Sequence, residues 1–398
     1  MKLATLAVHA GDRKQLGEYV PATTPIYGAT SYAYPRMEQL ERVFEGEVPG
    51  QGYARYGSPT CAALEEQIAA LEGGDLAVTA ASGMAALYVA LMAALTDRRK
   101  SIVAANALFG ETFRLLSGVL EPAGVETRFA DCCDLEAFEA AVAEHKPGCV
   151  LVESVSNPML RVAPLDRITE IAHRHGALVA ADATFVTPVL MRPLELGADL
   201  VVHSATKYLA GHADVLGGVI VAREPWRELL LALTRNIGTN LGAFDAYLVM
   251  RGIKTLPLRM ERQCQNARQV AESLTKQPRV ERVHFPGSAN HPEHETARRL
   301  FAPDTKGAAT FGAMVSFEVK DAGRDEIFSF LDSLELVVSS TSLGDVHSLI
   351  SYPAISSHRN LSPRHRQRLG IKNNLVRLSV GIESAGDIVA DLAQALER

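Results

Sequence analysis

The segment HSATKY, residues 203–208, places Lys207 directly after the apolar run ADLVV and among small hydroxylated residues. A lysine at the carboxyl edge of a buried parallel sheet can lose its solvation, become a nucleophile and form a Schiff base with a carbonyl compound. The hydroxyls of Ser204 and Thr206 could bind a phosphate ester. The alternative interpretation is that Lys207 is an ordinary surface charge, and spacing alone leaves it open.

Asp182 ends another apolar run, GALVAAD, at the edge of a predicted buried strand. A buried carboxylate needs a partner, because burying an unpaired charge is costly. A helix cap or a salt bridge would satisfy it, and so would a pyridinium nitrogen that the carboxylate keeps protonated. Together, Lys207 and Asp182 predict the cofactor pyridoxal 5′-phosphate (PLP).

A phosphate group also needs a site that can bind an anion. Ser82, Gly83 and Met84 connect the strand-like segment DLAVTA to an alanine-rich helix. Backbone N–H groups at the start of that helix, together with the Ser82 hydroxyl, would form an anion site. A simple serine N-cap is the alternative meaning of the same pattern.

The elements that would position these residues alternate from Pro59 to about residue 222. Short apolar strands there are separated by helical segments of ten or so residues, which predicts a mainly parallel sheet covered on both faces. Such sheets bind ligands beyond the carboxyl ends of their strands. Residues 1–57 show no periodic apolar face and are interpreted as an irregular arm. A long helix over 248–274, interrupted by Gly252 and Pro257, introduces a smaller α+β region.

The composition excludes several classes of protein. The 398 residues carry 40 basic and 46 acidic side chains, and a net charge of −6 argues against nucleic-acid binding. The most apolar stretch, residues 77–96, is interpreted as a buried helix, so no membrane association is predicted. Five cysteines without a CxxC pair predict free thiols in a reducing cytoplasm. HPEHE at 291–295 lacks the HExxH zinc pattern, so no metal site is predicted, and no GxGxxG or P-loop motif indicates nucleotide binding.

Motifs along almost the whole chain resemble the Cys/Met-metabolism PLP-dependent enzyme family, which includes cystathionine and methionine γ-lyases and homoserine-ester sulfhydrylases. The resemblance runs from TLAVHAG at Thr5–Gly11 to VRLSVGIE at Val376–Glu383. Between them lie, in order, YARYGSPT, ASGM, LFGET, ESVSNP, DAT, HSATKY, HPEHE and SLGD. The resemblance implies an α/β fold of PLP fold type I, the aspartate-aminotransferase type. We therefore predict an N-terminal arm (1–57), a large PLP-binding domain (58–250) and a small C-terminal domain (251–398).

The resemblance also implies roles for individual residues. Lys207 matches the catalytic Schiff-base lysine of the family, and Asp182 matches the partner of the pyridinium nitrogen. The residues that match the phosphate contacts are Ser82, Gly83, Met84, Ser204 and Thr206. The remaining matches are Asn157 near the cofactor hydroxyl, Phe109 on the cofactor ring, Arg377 as the clamp for the substrate α-carboxylate, and Ser342 in the same substrate pocket.

Tyr53 and Arg55 match the Tyr-x-Arg pair that reaches the cofactor phosphate of the neighbouring subunit, where Tyr53 is also a candidate catalytic residue. A monomer would then lack a complete site, so the resemblance implies an obligatory homodimer and, from the usual assembly of the family, a homotetramer.

Two departures from the family pattern bear on activity. Phe109 stands where the family usually has a tyrosine; it can stack on the cofactor ring but cannot transfer a proton, so Lys207 or Tyr53 would have to help. Thr341 stands where many cystathionine enzymes have glutamate, which argues against a cystathionine specialist.

The predicted activity is PLP-dependent γ-elimination on methionine or a similar sulfur amino acid, as in a methionine γ-lyase, giving an α-keto acid, ammonia and a thiol. The alternative is γ-replacement by a synthase or sulfhydrylase that uses an O-acyl-homoserine, or a cystathionine γ-lyase or γ-synthase. A PLP-bound regulatory protein without turnover is a third hypothesis. Elimination and replacement use the same residues, so the motifs alone barely separate them.

Overall fold

The computed structural model describes residues 1–16, 18–359 and 363–398. In these residues the chain forms two β-sheets with helices packed on them. The strands are β1 (Leu76–Ala80), β2 (Ser101–Ala105), β3 (Glu126–Ala130), β4 (Cys149–Glu153), β5 (Leu178–Asp182), β6 (Leu200–Ser204), β7 (Gly218–Ala222), β8 (Val280–His284), β9 (Met314–Val319), β10 (Val338–Ser339), β11 (Leu349–Ser351) and β12 (Leu375–Ser379).

The helices connect and cover these strands. They are α1 (Leu3–His9), α2 (Met37–Phe44), α3 (Pro59–Glu72), α4 (Gly83–Leu95), α5 (Gly110–Leu115), α6 (Leu135–His145), α7 (Leu165–Arg174), α8 (Thr187–Leu190), α9 (Arg227–Ile237), α10 (Ala243–Ile253), α11 (Leu256–Leu274), α12 (His294–Leu300), α13 (Arg324–Asp332), α14 (Pro363–Arg368) and α15 (Ala385–Glu397). Short 3₁₀ helices span Ala54–Tyr56 and Pro193–Leu196, and a π-helical turn spans Leu116–Leu120.

The large sheet contains β1 to β7 in the order β1-β7-β6-β5-β4-β2-β3. Only β7 runs antiparallel to its neighbours β1 and β6; the other pairs are parallel. Strands β1, β2, β4 and β7 are buried along their whole length, as expected for a sheet covered on both faces. The carboxyl ends of β4, β5 and β6 therefore lie side by side, and Glu153 of β4 is in register with Asp182 of β5. The predicted mainly parallel sheet is confirmed.

Helix α4 is apolar on almost every side because it packs between the sheet and its neighbours. It contacts β6, β7 and α9, and eight of its thirteen residues are buried. Its start is fixed by Ser82, whose Oγ accepts a hydrogen bond from the Ala85 N–H at 3.1 Å. The N-terminus of α4 consequently lies at the carboxyl edge of the sheet.

The smaller sheet has the order β10-β11-β12-β9-β8 and its own hydrophobic core. The change from one core to the other falls within α11: Cys264 belongs to the core of the large sheet, and Ala267 belongs to that of the small sheet. This confirms a smaller α+β unit after the large sheet. The domain boundary at residue 250 stays a prediction.

Two sequence-based expectations differ in detail from the structure. The helix predicted over 248–274, with interruptions at Gly252 and Pro257, is two helices, α10 and α11, and it begins earlier, at Ala243. The two are separated at Lys254 and Thr255, because Pro257 has no N–H to donate and occupies the first turn of α11. The arm is not wholly irregular, since it contains α1 and α2. Helix α2 buries none of its residues in this chain, and Met37 and Phe44 are exposed.

Candidate active site

A cleft of about 250 Å³ opens at the carboxyl edge of the large sheet. Residues from both sheets line it, so it lies where the two parts of the chain meet. Its lining consists of Ser82, Gly83, Met84, Leu87, Phe109, Thr112, Glu153, Val155, Asn157, Asp182, Thr184, Phe185, Ser204, Thr206, Lys207, Leu216, Thr341, Leu343 and Arg377. Most of the predicted site residues are thus brought together; Tyr53, Arg55 and Ser342 are the exceptions.

Lys207 follows β6 and extends into this cleft. Its Nζ donates a hydrogen bond to Ser342 Oγ at 3.0 Å, so Ser342 contacts the lysine although its side chain is not part of the lining. Burial lowers the pKa of Lys207 to about 8, and the positive charge of Arg377 contributes in the same direction. At pH 7 about a tenth of Lys207 is therefore the neutral, nucleophilic amine.

The loop that carries Ser342 depends on a glycine. Gly344 has φ +79°, and a Cβ at this position would lie 2.5 Å from the Tyr208 backbone nitrogen. Only glycine combines this left-handed conformation with so close an approach. Ser342 can therefore lie beside Lys207 because the SLGD loop packs directly on the backbone that follows the lysine.

We expect covalent attachment of PLP to Lys207 in the apoprotein to accelerate with rising pH, with a midpoint near pH 8. The lowered pKa means that the protonated, unreactive amine is lost near pH 8 and not near its ordinary value of 10.5. Stopped-flow absorbance after mixing with the cofactor measures this rate. A midpoint close to 10.5 would contradict the burial of the amine.

Asp182 lies at the end of β5, on the floor of the cleft. Its Oδ1 accepts a hydrogen bond from the Thr184 N–H at 2.8 Å, and the Thr184 hydroxyl in turn accepts one from the Ser204 N–H at 2.9 Å. Burial raises the pKa of Asp182, while the bonds from Thr184 and the more distant His203 oppose the shift. A cationic N–H placed against this carboxylate would offset its desolvation.

The start of α4 forms another wall of the cleft, where Ser82, Gly83 and Met84 meet Ser204. A Cβ on Gly83 would lie 2.7 Å from the Ser204 Cβ and 3.0 Å from its Cα, so any other residue would push the helix away from β6. The glycine thus lets backbone N–H groups and the Ser204 hydroxyl face the same space. Helix N-termini of this kind bind phosphate groups.

Arg377, in the middle of β12, is 2% exposed and supplies the second cation of the cleft. One of its terminal nitrogens donates to Asn157 Oδ1 at 2.7 Å and the other to the Ser342 carbonyl at 3.1 Å. Burial lowers the pKa of Arg377 to about 10, which still leaves it charged at neutral pH. A rigidly held guanidinium at the edge of a cleft is suited to binding a carboxylate.

Phe109 immediately precedes α5 and lines the cleft. Its backbone N–H donates to Glu153 Oε1 at 2.5 Å, which holds the main chain in place at this position. Burial, reinforced by the nearby charge of Asp182, raises the pKa of Glu153 well above its usual range. Among the described residues, no tyrosine, histidine or cysteine lines the cleft. Among the described lining residues, Lys207 is consequently the only amine, and Glu153 is a carboxyl group with a raised pKa.

Tyr53 and Arg55 lie outside the cleft of their own chain. Arg55 lines a separate cavity of about 830 Å³, where it donates to the Arg235 carbonyl at 3.0 Å. Its guanidinium lies 5.8 Å from the ring centroid of Tyr53 and 4.9 Å from that of Tyr56. The two residues that the resemblance assigns to a neighbouring subunit are therefore not used by this chain's own cleft.

Sequence reasoning gave no role to several residues of the site. Thr184 is the most important, because it contacts both Asp182 and Ser204; its place two residues after a strand-ending aspartate could have indicated it. The others are Leu87, Thr112, Glu153, Val155, Phe185, Leu216 and Leu343. Several of them lie within the family motifs, but only the fold shows that their side chains face the cleft.

The residues of the cleft fit PLP. They provide a nucleophilic amine with a lowered pKa in Lys207, a carboxylate in need of a cationic partner in Asp182, and a helix N-terminus with a serine hydroxyl beside it. When bound, PLP withdraws electron density from the α-carbon of an amino acid and so makes its proton removable. The fold and the site together define a PLP-dependent enzyme of fold type I.

The family model described as "Cys/Met metabolism PLP-dependent enzyme" matches residues 4–397. The chain is 40% identical to the O-succinylhomoserine sulfhydrylase of Pseudomonas aeruginosa, over 98% of this chain and 94% of that protein. It is 41% identical to the L-methionine gamma-lyase of Pseudomonas putida, over 99% of this chain and 97% of that protein. The crystal structure of cystathionine gamma synthase from Xanthomonas oryzae pv. oryzae, in complex with aminoacrylate and cysteine, has a TM-score of 0.91 and 36% identity, and the match covers 100% of this chain and 98% of that one.

The chain belongs to the Cys/Met metabolism PLP-dependent enzyme family. The family, the fold type and the cofactor predicted from the sequence are thereby confirmed. The relatives also include both activities that the sequence predicts, elimination by a methionine γ-lyase and replacement by a homoserine-ester sulfhydrylase. Within the described residues, no helix has the length and apolar character needed to cross a membrane.

Proposed function

We propose that this enzyme catalyses γ-elimination on a small sulfur amino acid, releasing an α-keto acid, ammonia and a thiol. The supporting observation is the arrangement of Lys207, Ser342 and Arg377, in which a proton-carrying amine and a carboxylate-binding guanidinium both bond to the same residue. An amino acid held by its carboxylate at Arg377 would present its α-carbon close to Lys207.

Each of these side chains has a defined task. Arg377 binds the α-carboxylate of the substrate and is itself held in place by Asn157. Lys207 removes the α-proton as a neutral amine, which its lowered pKa makes available near neutral pH. Ser342, by accepting a hydrogen bond from the Lys207 amine, orients that amine toward the substrate.

Proton supply to the departing sulfur is the distinctive feature of this cleft. Phe109 has no proton to give, so Lys207, once protonated, or Tyr53 of a second copy would transfer one to the leaving thiolate. Hydrolysis after departure of the γ-substituent gives the α-keto acid, whereas capture by an incoming thiol gives γ-replacement. Thr341, exposed and uncharged at the rim, offers no carboxylate for the distal ammonium of cystathionine.

The decisive experiment measures α-ketobutyrate released by the purified, PLP-loaded protein from L-methionine alone. L-Cystathionine and O-acetyl-L-homoserine are assayed in parallel. Release from methionine supports the lyase. If methionine gives no α-ketobutyrate but a homoserine ester and a thiol give a thioether or homocysteine, the enzyme is instead the second candidate, a γ-replacement synthase. That candidate is favoured by the similarity to an O-succinylhomoserine sulfhydrylase. Binding of PLP without product from any substrate would favour the regulatory protein.

We further propose that the active enzyme is a homodimer in which Tyr53 and Arg55 complete the cleft of a second copy. Two such dimers would form a homotetramer. The exposed apolar residues of the arm support this proposal, since Met37 is 75% and Phe44 59% exposed. Free thiols at all five cysteines agree with a reducing, cytoplasmic location.

Replacing Arg55 by alanine should weaken PLP retention by roughly tenfold or more, because a charge-assisted contact to the phosphate of the second copy contributes about 1.5–3 kcal/mol. Dialysis followed by cofactor absorbance measures retention. Arg268→Ala, which changes an exposed arginine on α11, is the matched control. Unchanged retention in Arg55→Ala would contradict the contribution across subunits.

A further inference from the structure

A second cleft, of about 280 Å³, lies behind the active site at the joint between the two sheets. The large sheet contributes Asp131, just after β3, and Arg161, after β4. The small-sheet side contributes Arg282 and His284 of β8, His291, and Arg368 at the end of α14. We call it the arginine cleft. None of its six named residues lines the active site.

Three arginines, Arg161, Arg282 and Arg368, and one carboxylate, Asp131, line the arginine cleft. Arg161 is held by Glu293, with its Nε 2.7 Å from Oε1, and lies 4.0 Å from Asp131. Arg282 and Arg368 are exposed and form no ion pair with the described residues. The chain as a whole has a net charge of −6. The two unpaired guanidinium groups at this cavity therefore create a positive potential there that is opposite in sign to the net charge.

The two histidines add hydrogen-bonding groups to the cleft. His284 is buried and bonds to Glu318 at 2.8 Å. The Nδ1 of His291 accepts the Glu293 N–H at 3.2 Å, so the proton of the neutral ring is on Nε2. This Nε2–H lies near the Leu160 carbonyl but makes no hydrogen bond of acceptable geometry with the described residues. Burial lowers the pKa of His291 to about 4, which keeps the ring neutral.

We propose that the arginine cleft binds a small metabolite carrying at least two negative charges on phosphate or carboxylate groups. Arg282 and Arg368 bind the anionic oxygens, and Arg161, fixed by Glu293, shapes the floor. The volume equals that of the active-site cleft to within a few tens of Å³, so a molecule of metabolite size fits. This proposal is independent of which reaction the enzyme catalyses.

One short segment of the chain connects the arginine cleft to the active site. The segment 157–161 has Asn157, the partner of Arg377, at one end and Arg161 at the other. An anion bound in the arginine cleft therefore contacts the same short segment that holds Arg377 in place. Kinetic assays with and without the anion would reveal an effect on KM.

The test is isothermal titration of the PLP-loaded enzyme with inorganic phosphate and, separately, with citrate, at constant ionic strength. The loaded enzyme is used so that the cofactor occupies the phosphate site at α4. We expect saturable binding of at least one anion at one site per chain. The double variant Arg282→Ala/Arg368→Ala should weaken that binding at least tenfold, and Arg268→Ala should leave it unchanged.

The anion that binds identifies the chemistry: phosphate alone indicates a phosphate ester, and citrate alone indicates a polycarboxylate. Arg282→Glu, a single exposed substitution checked by circular dichroism and cofactor absorbance, gives a second test if the double variant does not fold. Absence of saturable binding of both anions, or binding of equal strength in Arg282→Glu, would overturn the proposal.

Discussion

The Lys207→Ala enzyme should lose the visible absorbance of the bound cofactor and show a kcat at least about 10³-fold lower with every substrate tested. The substitution removes the amine that both attaches the cofactor and moves the substrate protons. Among the described residues of the cleft there is no other amine to take over either task. Absorbance spectra and α-keto acid release measure the two losses separately.

A matched control distinguishes this effect from loss of charge alone. Lys276 is exposed and follows the end of α11, and Lys276→Ala should keep both colour and activity. The Lys207→Arg variant keeps a cation beside Ser342, but its guanidinium group is not a nucleophile at neutral pH. This variant should therefore behave like the alanine variant. Persistence of colour and activity in Lys207→Ala would disprove the assignment of the catalytic lysine.

The second large effect is expected at Arg377. Arg377→Lys should raise KM by roughly 30-fold, equivalent to about 2 kcal/mol, with a smaller change in kcat. A single ammonium group cannot bond to Asn157, to the Ser342 carbonyl and to the substrate carboxylate with the geometry of the guanidinium. Initial-rate kinetics on the PLP-loaded variant separate KM from kcat.

Two comparisons make the Arg377 result interpretable. Arg268→Lys, on the exposed side of α11, should leave both constants unchanged. Binding of PLP, followed by absorbance, should survive in Arg377→Lys, because the residue faces the substrate and not the phosphate site. An unchanged KM would show that the α-carboxylate binds elsewhere.

The large sheet could be predicted because its strands are short, apolar and evenly separated by helices. Motifs at the ends of those strands then indicated Asp182 and Lys207, since the carboxyl ends of parallel strands meet at one edge. The glycine at position 83 was found as part of a phosphate motif, but the reason for it, contact with Ser204 more than a hundred residues away, required the fold.

Other features depend on contacts that no local pattern encodes. The bond from Lys207 to Ser342 and the bond from Arg377 to Asn157 join the two sheets, so they follow only from how the sheets pack. Helix α2 lies within the arm that the sequence predicts to be irregular, and it buries none of its residues in its own chain. Pro257 indicates the separation of α10 from α11. The start of α10 at Ala243 has no side-chain cap, so the sequence does not indicate where this helix begins.

The arginine cleft illustrates the same limit. Arg161, Arg282 and Arg368 are dispersed over more than two hundred residues and belong to no motif. Their convergence is a property of the joint between the two sheets. Arg368, the last residue of α14, is exposed and lines this cavity; the segment 360–362 before the helix lies outside the described residues.

The most direct measurement is borohydride reduction of the PLP-loaded enzyme, followed by peptide mapping with mass spectrometry. Reduction makes the bond between the cofactor and its lysine permanent, so the modified peptide identifies that lysine. The structure predicts a single modified residue, Lys207, because its buried amine has its pKa lowered to about 8 and lies in the cleft with Asp182 and Arg377. Modification of a different lysine, or none, would contradict the assignment of this cleft as the active site.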